Sequence, residues 1–149
     1  MSDSHRVLRL DEAPTVDLDD PKVPPWIPLR HRLGVGAFGT NAYRAAQAGD
    51  VVVEPHTEWS DDPAEPPQQE MYVVVLGHAT FTVDGETIDA PAGTVVFLPE
   101  PSAHREAVAA APDTVVLAVG GAPGFAYGGS QWERDWLERT GEPAGPDGA

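Results

Sequence analysis

Residues 70–98 read EMYVVVLGHATFTVDGETIDAPAGTVVFL and contain three short runs of β-branched and aromatic residues, at 71–76, 79–83 and 94–98. In the second run, apolar and polar side chains alternate, as they do in a strand that is buried on one face. The pair Asp84-Gly85 follows this run and suits the type I′ turn of a β-hairpin. Short strands joined by tight turns, with no helices between them, predict an antiparallel sandwich or barrel.

Outside this stretch, further strand-like runs extend the β region over residues 34–122 of a single 149-residue domain. Residues 1–30 are rich in proline, which has no backbone N–H to offer a sheet. We therefore expect them to form an arm that lies extended across a surface, with Trp26 and Ile27 as its anchors.

One helix is predicted, over residues 130–140. Ser130 and Glu133 have the spacing of a capping box, and Gly141 can end the helix. Its two tryptophans lie on one face, which we expect to pack against the outside of the barrel. Residues 141–149 are rich in glycine and proline and predict a flexible tail.

The charge of the chain is strongly negative, with 24 acidic and 9 basic side chains and a net charge of −15. Such a chain repels nucleic acid and anionic membranes, so neither is an expected partner. Cysteine is absent, which excludes disulfides and a thiolate nucleophile. The first residues, MSDSHR, are not followed by an apolar run, and we expect a cytoplasmic protein without a membrane segment.

Four side chains carry the most informative chemistry. His56 and Glu58 are two residues apart, so on a strand both point to the same face. Glu70 begins an apolar strand, where a carboxylate is costly unless something neutralises it. His104 follows the strand that ends at residue 98. Imidazoles and carboxylates that converge inside a barrel make a divalent-metal site, and two histidines with one carboxylate suit Fe²⁺.

At this point the sequence resembles that of a small single-domain cupin. The second motif of the cupin family, G-x5-P-x-G-x2-H-x3-N, is similar to residues 93–108, GTVVFLPEPSAHREAV. His104 takes the place of the motif histidine. Pro101 and Val108 replace the second glycine and the asparagine of the motif.

The first cupin motif, G-x5-H-x-H-x3,4-E-x6-G, is matched at its end by residues 70–77, EMYVVVLG. His56 matches one motif histidine, but Glu58 stands where the second histidine is expected. Eleven residues separate Glu58 from Glu70, where the motif has three or four. The resemblance is therefore closer for the fold than for the metal site.

The resemblance implies an all-β, double-stranded β-helix or jelly-roll barrel, and a homodimer. Carried over residue by residue, it implies that His56, Glu70 and His104 hold a divalent metal ion, with Fe, Mn, Ni and Zn all open. Glu58 is then either a further ligand or a general base in catalysis.

The segment 59–69, WSDDPAEPPQQ, is an acidic, proline-rich insertion between two strands. It is either a solvated loop or a lid over the mouth of the barrel. In the second case Trp59 and Gln68 face the cavity and contact a ligand. Tyr72 lies two residues after Glu70, shares its inward face, and can orient the same ligand through its hydroxyl.

Three functions remain open from the sequence. The first is a metalloenzyme of dioxygenase or isomerase type that acts on a small molecule. The second is a protein that binds a small ligand without metal or catalysis. The third is a domain whose role is dimerisation. The clustering of ionisable groups on the predicted inner wall favours the first.

Overall fold

The computed structural model describes residues 4–146, which form two packed β-sheets and two helices. The strands are β1 (Trp26–Ile27), β2 (Gly39–Ala45), β3 (Val51–His56), β4 (Gln69–Leu76), β5 (His78–Val83), β6 (Glu86–Pro91), β7 (Val95–Leu98), β8 (Arg105–Ala109) and β9 (Thr114–Gly121). The helices are α1 (Leu29–Leu33) and α2 (Gln131–Thr140). Neither helix has the length or the apolar surface needed to cross a bilayer.

The strands form an antiparallel jelly roll. One sheet has the order β1-β2-β9-β4-β7 and the other has the order β3-β8-β5-β6. Their inner faces enclose the main core, in which Val52, Val74, Phe81 and Val116 are fully buried. The predicted all-β fold is confirmed, as two facing sheets rather than one continuous hydrogen-bonded barrel.

The predicted hairpin joins β5 to β6. Asp84 and Gly85 both have positive φ, 47° and 82°, as a type I′ turn requires. This turn fixes the pairing of Phe81 with Ile88, and so places Phe81 in the core.

The arm covers part of the outer face of the five-stranded sheet. Ile27 and Leu29 pack with Ala42 and Val115 in a second, smaller core on that face. Trp26 is fully buried together with Ile27, so both expected anchors are held in place. The short helix α1 at the end of the arm is not anticipated by the sequence pattern.

Helix α2 begins and ends where the sequence predicts. The Ser130 hydroxyl accepts a hydrogen bond from the Glu133 backbone N–H at 3.1 Å, and Gly141 adopts the left-handed conformation at the end. Trp132 packs edge-on against Trp26, with ring centroids 5.1 Å apart. Glu133 is buried and pairs with Arg30 at 2.9 Å, which ties the helix to α1.

The beginning of the predicted tail contacts α1. Glu142 pairs with Arg32 at 2.6 Å, and the Pro143 carbonyl lies 2.6 Å from Nε2 of His31. These contacts hold the first residues of the tail against the body of the protein. Residues 147–149 lie outside the described part of the chain.

Candidate metal centre and ligand cavity

A cavity of about 300 Å³ lies between the two sheets and is bordered by the segment that leads into α2. Strands β2, β3, β4 and β9 supply its walls, and residues between 127 and 132 supply its rim. The carboxylates of Glu54, Glu58 and Glu70 line it together with the imidazole of His56.

Three of these side chains form what we call the His56 cluster: His56, Glu58 and Glu70. Nε2 of His56 lies 3.0 Å from Oε1 of Glu58 and 3.7 Å from Oε1 of Glu70. One ligand atom of each residue lies within 4.8 Å of the others. The sequence-based expectation that these three residues converge agrees with this geometry.

The orientation of the imidazole defines the chemistry of the cluster. Nδ1 of His56 lies 2.6 Å from the backbone carbonyl oxygen of Glu54. Because a carbonyl can only accept, Nδ1 carries a proton and donates a hydrogen bond to it. In a neutral ring, Nε2 would then direct a lone pair at two carboxylates. A cation must lie between this lone pair and the carboxylates, and the structure supports either a proton or a metal ion in that position.

The pKa values also indicate a positive charge between His56 and the two carboxylates. Burial opposes protonation of His56, but its hydrogen bonds to Glu58 and Glu70 outweigh burial and raise its pKa to about 10. Burial also raises the pKa of Glu70, whereas His56 and Arg105 act in the opposite direction. Without a metal, His56 is therefore an imidazolium at neutral pH.

Local backbone features position the cluster. Glu54 and His56 lie two residues apart on β3, so strand alternation directs both to the cavity, and a register shift in the pairing with β8 lies between Val53 and His56. Glu58 is held by its backbone N–H, which donates to the Pro101 carbonyl at 2.9 Å. Glu70 lies on β4, two residues before the buried Tyr72.

Arg105 is the side chain that faces the cluster from β8. It is fully buried, and its Nε and one terminal nitrogen donate to the Ala103 carbonyl at 3.0 and 2.9 Å. The other terminal nitrogen donates to Oε1 of Glu70 at 3.3 Å. The Tyr72 hydroxyl donates to the same carboxylate oxygen. Glu70 is thus held by a cation and a neutral donor.

His104 does not join the cluster, which corrects the expectation that it is a metal ligand. His56 pairs across the strands with Arg105, and Arg105, Ala107 and Ala109 are the buried residues of β8. Alternation therefore directs Arg105 inward and leaves the His104 side chain exposed. The His104 backbone N–H donates to the carboxylate of Asp84 at 2.8 Å.

The predicted ligand-contacting residues divide into two groups. Tyr72 and Gln68 line the cavity. Trp59 does not: 58% of it is exposed, and its indole N–H donates to Asp61 within the same loop at 3.2 Å. The loop instead contacts α2 through Glu65, whose carboxylate accepts from the Gln131 backbone N–H at 2.7 Å.

Several cavity residues are not anticipated from the sequence. Asn41 and Tyr43 lie two apart on β2, so period-two alternation could have paired them. Tyr127 and Trp132 reach the cavity through tertiary packing, for which no local signal exists. Burial raises the pKa of Tyr127 to about 12 and raises that of Tyr43 well above its usual value, so both are neutral phenols.

Glu54 is a further cavity residue that the sequence did not indicate. Burial raises the pKa of its carboxyl, His56 lowers it, and the nearby Asp20 and Glu58 raise it. Within residues 4–146, no hydrogen bond is formed to this carboxylate. Glu54 is therefore the cavity carboxylate whose charge the described part of the protein satisfies least.

The architecture matches that of known structures. The chain is similar to a cupin protein from Bacteroides fragilis (18% identity, TM-score 0.57, covering 87% of this chain and 93% of the other). It is also similar to KdgF from Halomonas sp., with 18% identity and a TM-score of 0.58, covering 75% of this chain and 88% of the other. A third similar structure is a protein with a double-stranded β-helix domain from Klebsiella pneumoniae, with 18% identity and a TM-score of 0.57, covering 82% of this chain and 93% of the other.

These likenesses establish the fold, and the predicted cupin-type double-stranded β-helix is confirmed. No protein-family model matches the sequence, and no curated protein is significantly similar to it. The function is therefore argued from the cavity itself.

Proposed function

We propose that the protein binds one divalent metal ion through His56, Glu58 and Glu70, and a small polar molecule in the cavity beside it. The observation that carries this proposal is the orientation of His56, whose Nε2 faces two carboxylates while Nδ1 is committed to a backbone carbonyl. Ligand atoms about 2.1 Å from one ion lie about 3–4 Å from each other, and both distances from Nε2 of His56 fall in this range.

The donor set favours particular metals. One imidazole and two carboxylates form an oxygen-rich site. Such a site suits Mn²⁺ and Fe²⁺ better than it suits Ni²⁺, which is typically bound by more nitrogen ligands. Because His104 lies elsewhere, the two-histidine, one-carboxylate set expected for Fe²⁺ is not assembled by the described residues. We therefore place Mn²⁺ first among the four metals expected from the sequence.

The residues around the cluster have separable roles. A bound metal would supply a Lewis acid that polarises an oxygen of the ligand. Arg105 and the Tyr72 hydroxyl hold Glu70 in place through hydrogen bonds. Glu58 is a ligand in this arrangement rather than a free base. Glu54 is then the carboxylate in the cavity that remains available to accept a proton, or a hydrogen bond from a ligand.

The metal proposal predicts different outcomes for the two histidines. His56→Gln should lower the affinity for Mn²⁺ at least about 100-fold, because it removes the nitrogen ligand. His104→Gln should keep the wild-type affinity within about twofold, since its side chain is exposed and apart from the cluster. Calorimetric titration of chelator-treated, untagged protein with Mn²⁺ measures both, and elemental analysis gives the stoichiometry.

Equal losses in the two histidine variants would contradict this assignment, as would a wild-type protein that takes up no metal after reconstitution. Glu58→Gln adds an independent check, because it is close in shape to the native side chain and removes one ligand charge. The predicted dioxygenase-type and isomerase-type activities both require the metal. The binding measurement therefore precedes either assay.

A second candidate function is binding of a small ligand without metal. Arg105 favours it, because a buried guanidinium already compensates Glu70 and a proton on His56 can compensate Glu58. In this case the cluster is a hydrogen-bonded floor of the cavity. An empty protein after reconstitution that still binds an organic ligand would select this function.

We also propose that two copies of the chain associate through β7. This strand is the outer edge of the five-stranded sheet, and Val95 and Phe97 are about half exposed there. They lie opposite Val73 and Met71 of β4 on the same face. An antiparallel contact between two copies of β7 continues the sheet across a two-fold axis and sets Val95 and Phe97 of one copy beside those of the other on the same face. A cytoplasmic location stays a prediction.

The dimer proposal predicts that Phe97→Glu converts the protein to a monomer, because it places a charge at the centre of the contact. Phe125→Glu is the matched control: Phe125 is 64% exposed and lies outside β7. It should leave the assembly state unchanged. Light scattering coupled to size-exclusion chromatography measures the mass of each. A wild-type monomer at all accessible concentrations would refute the proposal.

A further inference from the structure

We propose that the small molecule held in the cavity is an organic ammonium ion, with the positive nitrogen near Glu54 and an apolar part against the aromatic rim. This inference rests on the proposed use of the cavity as a small-molecule site and names the class of ligand. Three independent features of the cavity wall support it: its charge, an unsatisfied acceptor and its aromatic content.

The charge of the wall is negative. Three glutamates line the cavity, and His56 is the basic side chain among the lining residues. Glu58 is paired with His56, and Glu70 is paired with Arg105 as well as His56. Glu54 has no hydrogen-bond donor within residues 4–146. A half-buried carboxylate without a donor is stabilised by a cation that brings its own N–H groups.

The wall also has a buried acceptor without a partner. Oδ1 of Asn41 is buried and forms no hydrogen bond within the described residues. A buried acceptor left unpaired is destabilising, so such atoms usually mark a position where a water or ligand donates. Asn41 lines the same cavity as Glu54. A rotation of the Asn41 amide toward the cavity would allow one ligand with several N–H groups to donate to both residues.

Tyr43, Tyr127 and Trp132 surround the cavity with aromatic rings. Aromatic rings attract cations and also provide an apolar surface for the hydrocarbon part of a ligand. Burial keeps both phenols neutral, so they add no further negative charge. The cavity volume of about 300 Å³ is sufficient for an arylalkyl amine.

The wall is correspondingly unsuited to an anion. No lysine or arginine is among the residues that line it. The N-terminus of α2, which lies at the rim, already uses its N–H groups: that of Gln131 donates to Glu65 and that of Glu133 donates to Ser130. A phosphate or carboxylate would find no lysine or arginine among these lining residues to balance its charge.

Three probes of similar shape and different charge test the inference: 2-phenylethylammonium, 2-phenylethanol and phenylacetate. We expect the ammonium ion to bind at least about tenfold more tightly than the alcohol, which is the effect of one charge-assisted hydrogen bond, and phenylacetate to bind most weakly. NMR titration of the metal-free wild-type protein measures the three affinities, because phenylacetate could otherwise bind the metal ion directly.

The variant Glu54→Gln locates the charge selectivity. It should weaken binding of the ammonium ion about tenfold and leave binding of the alcohol within about twofold. Glu86→Gln removes the same charge from an exposed position outside the cavity and should change neither affinity. If Glu54→Gln does not fold, the probe series on wild-type protein still decides the question.

Equal or tighter binding of phenylacetate would overturn the inference, and so would an ammonium affinity that Glu54→Gln does not change. Failure of all three probes to bind would overturn it as well. The Mn²⁺ titration of the same preparation is independent of these outcomes. It therefore shows whether the metal proposal stands when the ligand class does not.

Discussion

Replacing Arg105 with methionine is expected to lower the free energy of unfolding by about 3–5 kcal/mol. The guanidinium is fully buried and donates to Glu70 and, through two nitrogens, to the Ala103 carbonyl. Methionine fills much of the same space but leaves the Glu70 carboxylate without its cation. The Ala103 carbonyl also loses both of its side-chain donors.

Urea denaturation monitored by fluorescence measures this change. Arg134→Met is the matched control, because Arg134 is about half exposed and its loss should change stability by no more than about 0.5 kcal/mol. Arg105→Met should also bind Mn²⁺ more tightly, since Glu70 is no longer shared with a guanidinium. An Arg105→Met protein as stable as the wild type would show that the buried pair contributes nothing.

Replacing Trp26 with alanine is the second substitution for which we expect a large effect, a loss of about 3–5 kcal/mol. Trp26 is fully buried where the arm, β2 and α2 meet, and its ring contacts that of Trp132. Alanine leaves a large cavity at this junction. The loss should therefore loosen both the arm and the helix.

Trp26→Phe separates the packing of the ring from the cost of its unpaired N–H group. Nε1 of Trp26 is buried and has no partner within the described residues. Phenylalanine removes this unsatisfied N–H and keeps an aromatic ring, so we expect a loss of only about 1–2 kcal/mol. Chemical denaturation of both variants gives the comparison. Similar losses for alanine and phenylalanine would contradict a packing role for the ring.

The features predictable from the sequence are those that depend on neighbouring residues. The Asp84-Gly85 turn follows from the backbone conformations these residues tolerate, and the start and end of α2 follow from Ser130 and Gly141. The strand runs follow from period-two alternation. The convergence of His56, Glu58 and Glu70 follows from strand alternation and the cupin motif together.

The His104 prediction is wrong because pairing between distant strands decides the outcome. Motif spacing placed His104 in the site, but the register shift between β3 and β8 sets Arg105 opposite His56 instead. One residue of shift exchanges the inward and outward faces. Trp59 was assigned from its position in the chain, whereas its indole is paired with Asp61 inside the loop. The first outcome depends on the register of distant strands and the second on a short contact within the loop, and the motif pattern predicts neither.

The two ends of the five-stranded sheet differ in a way that limits assembly. At one end, β1 is only two residues long, and Val16 of the arm already pairs with its Trp26. At the other end, β7 is open. A sheet with two open edges can add strands without limit and grow into a filament, whereas a sheet with one open edge is finished after a single two-fold contact. By occupying one edge, the arm would make the proposed association through this sheet self-terminating.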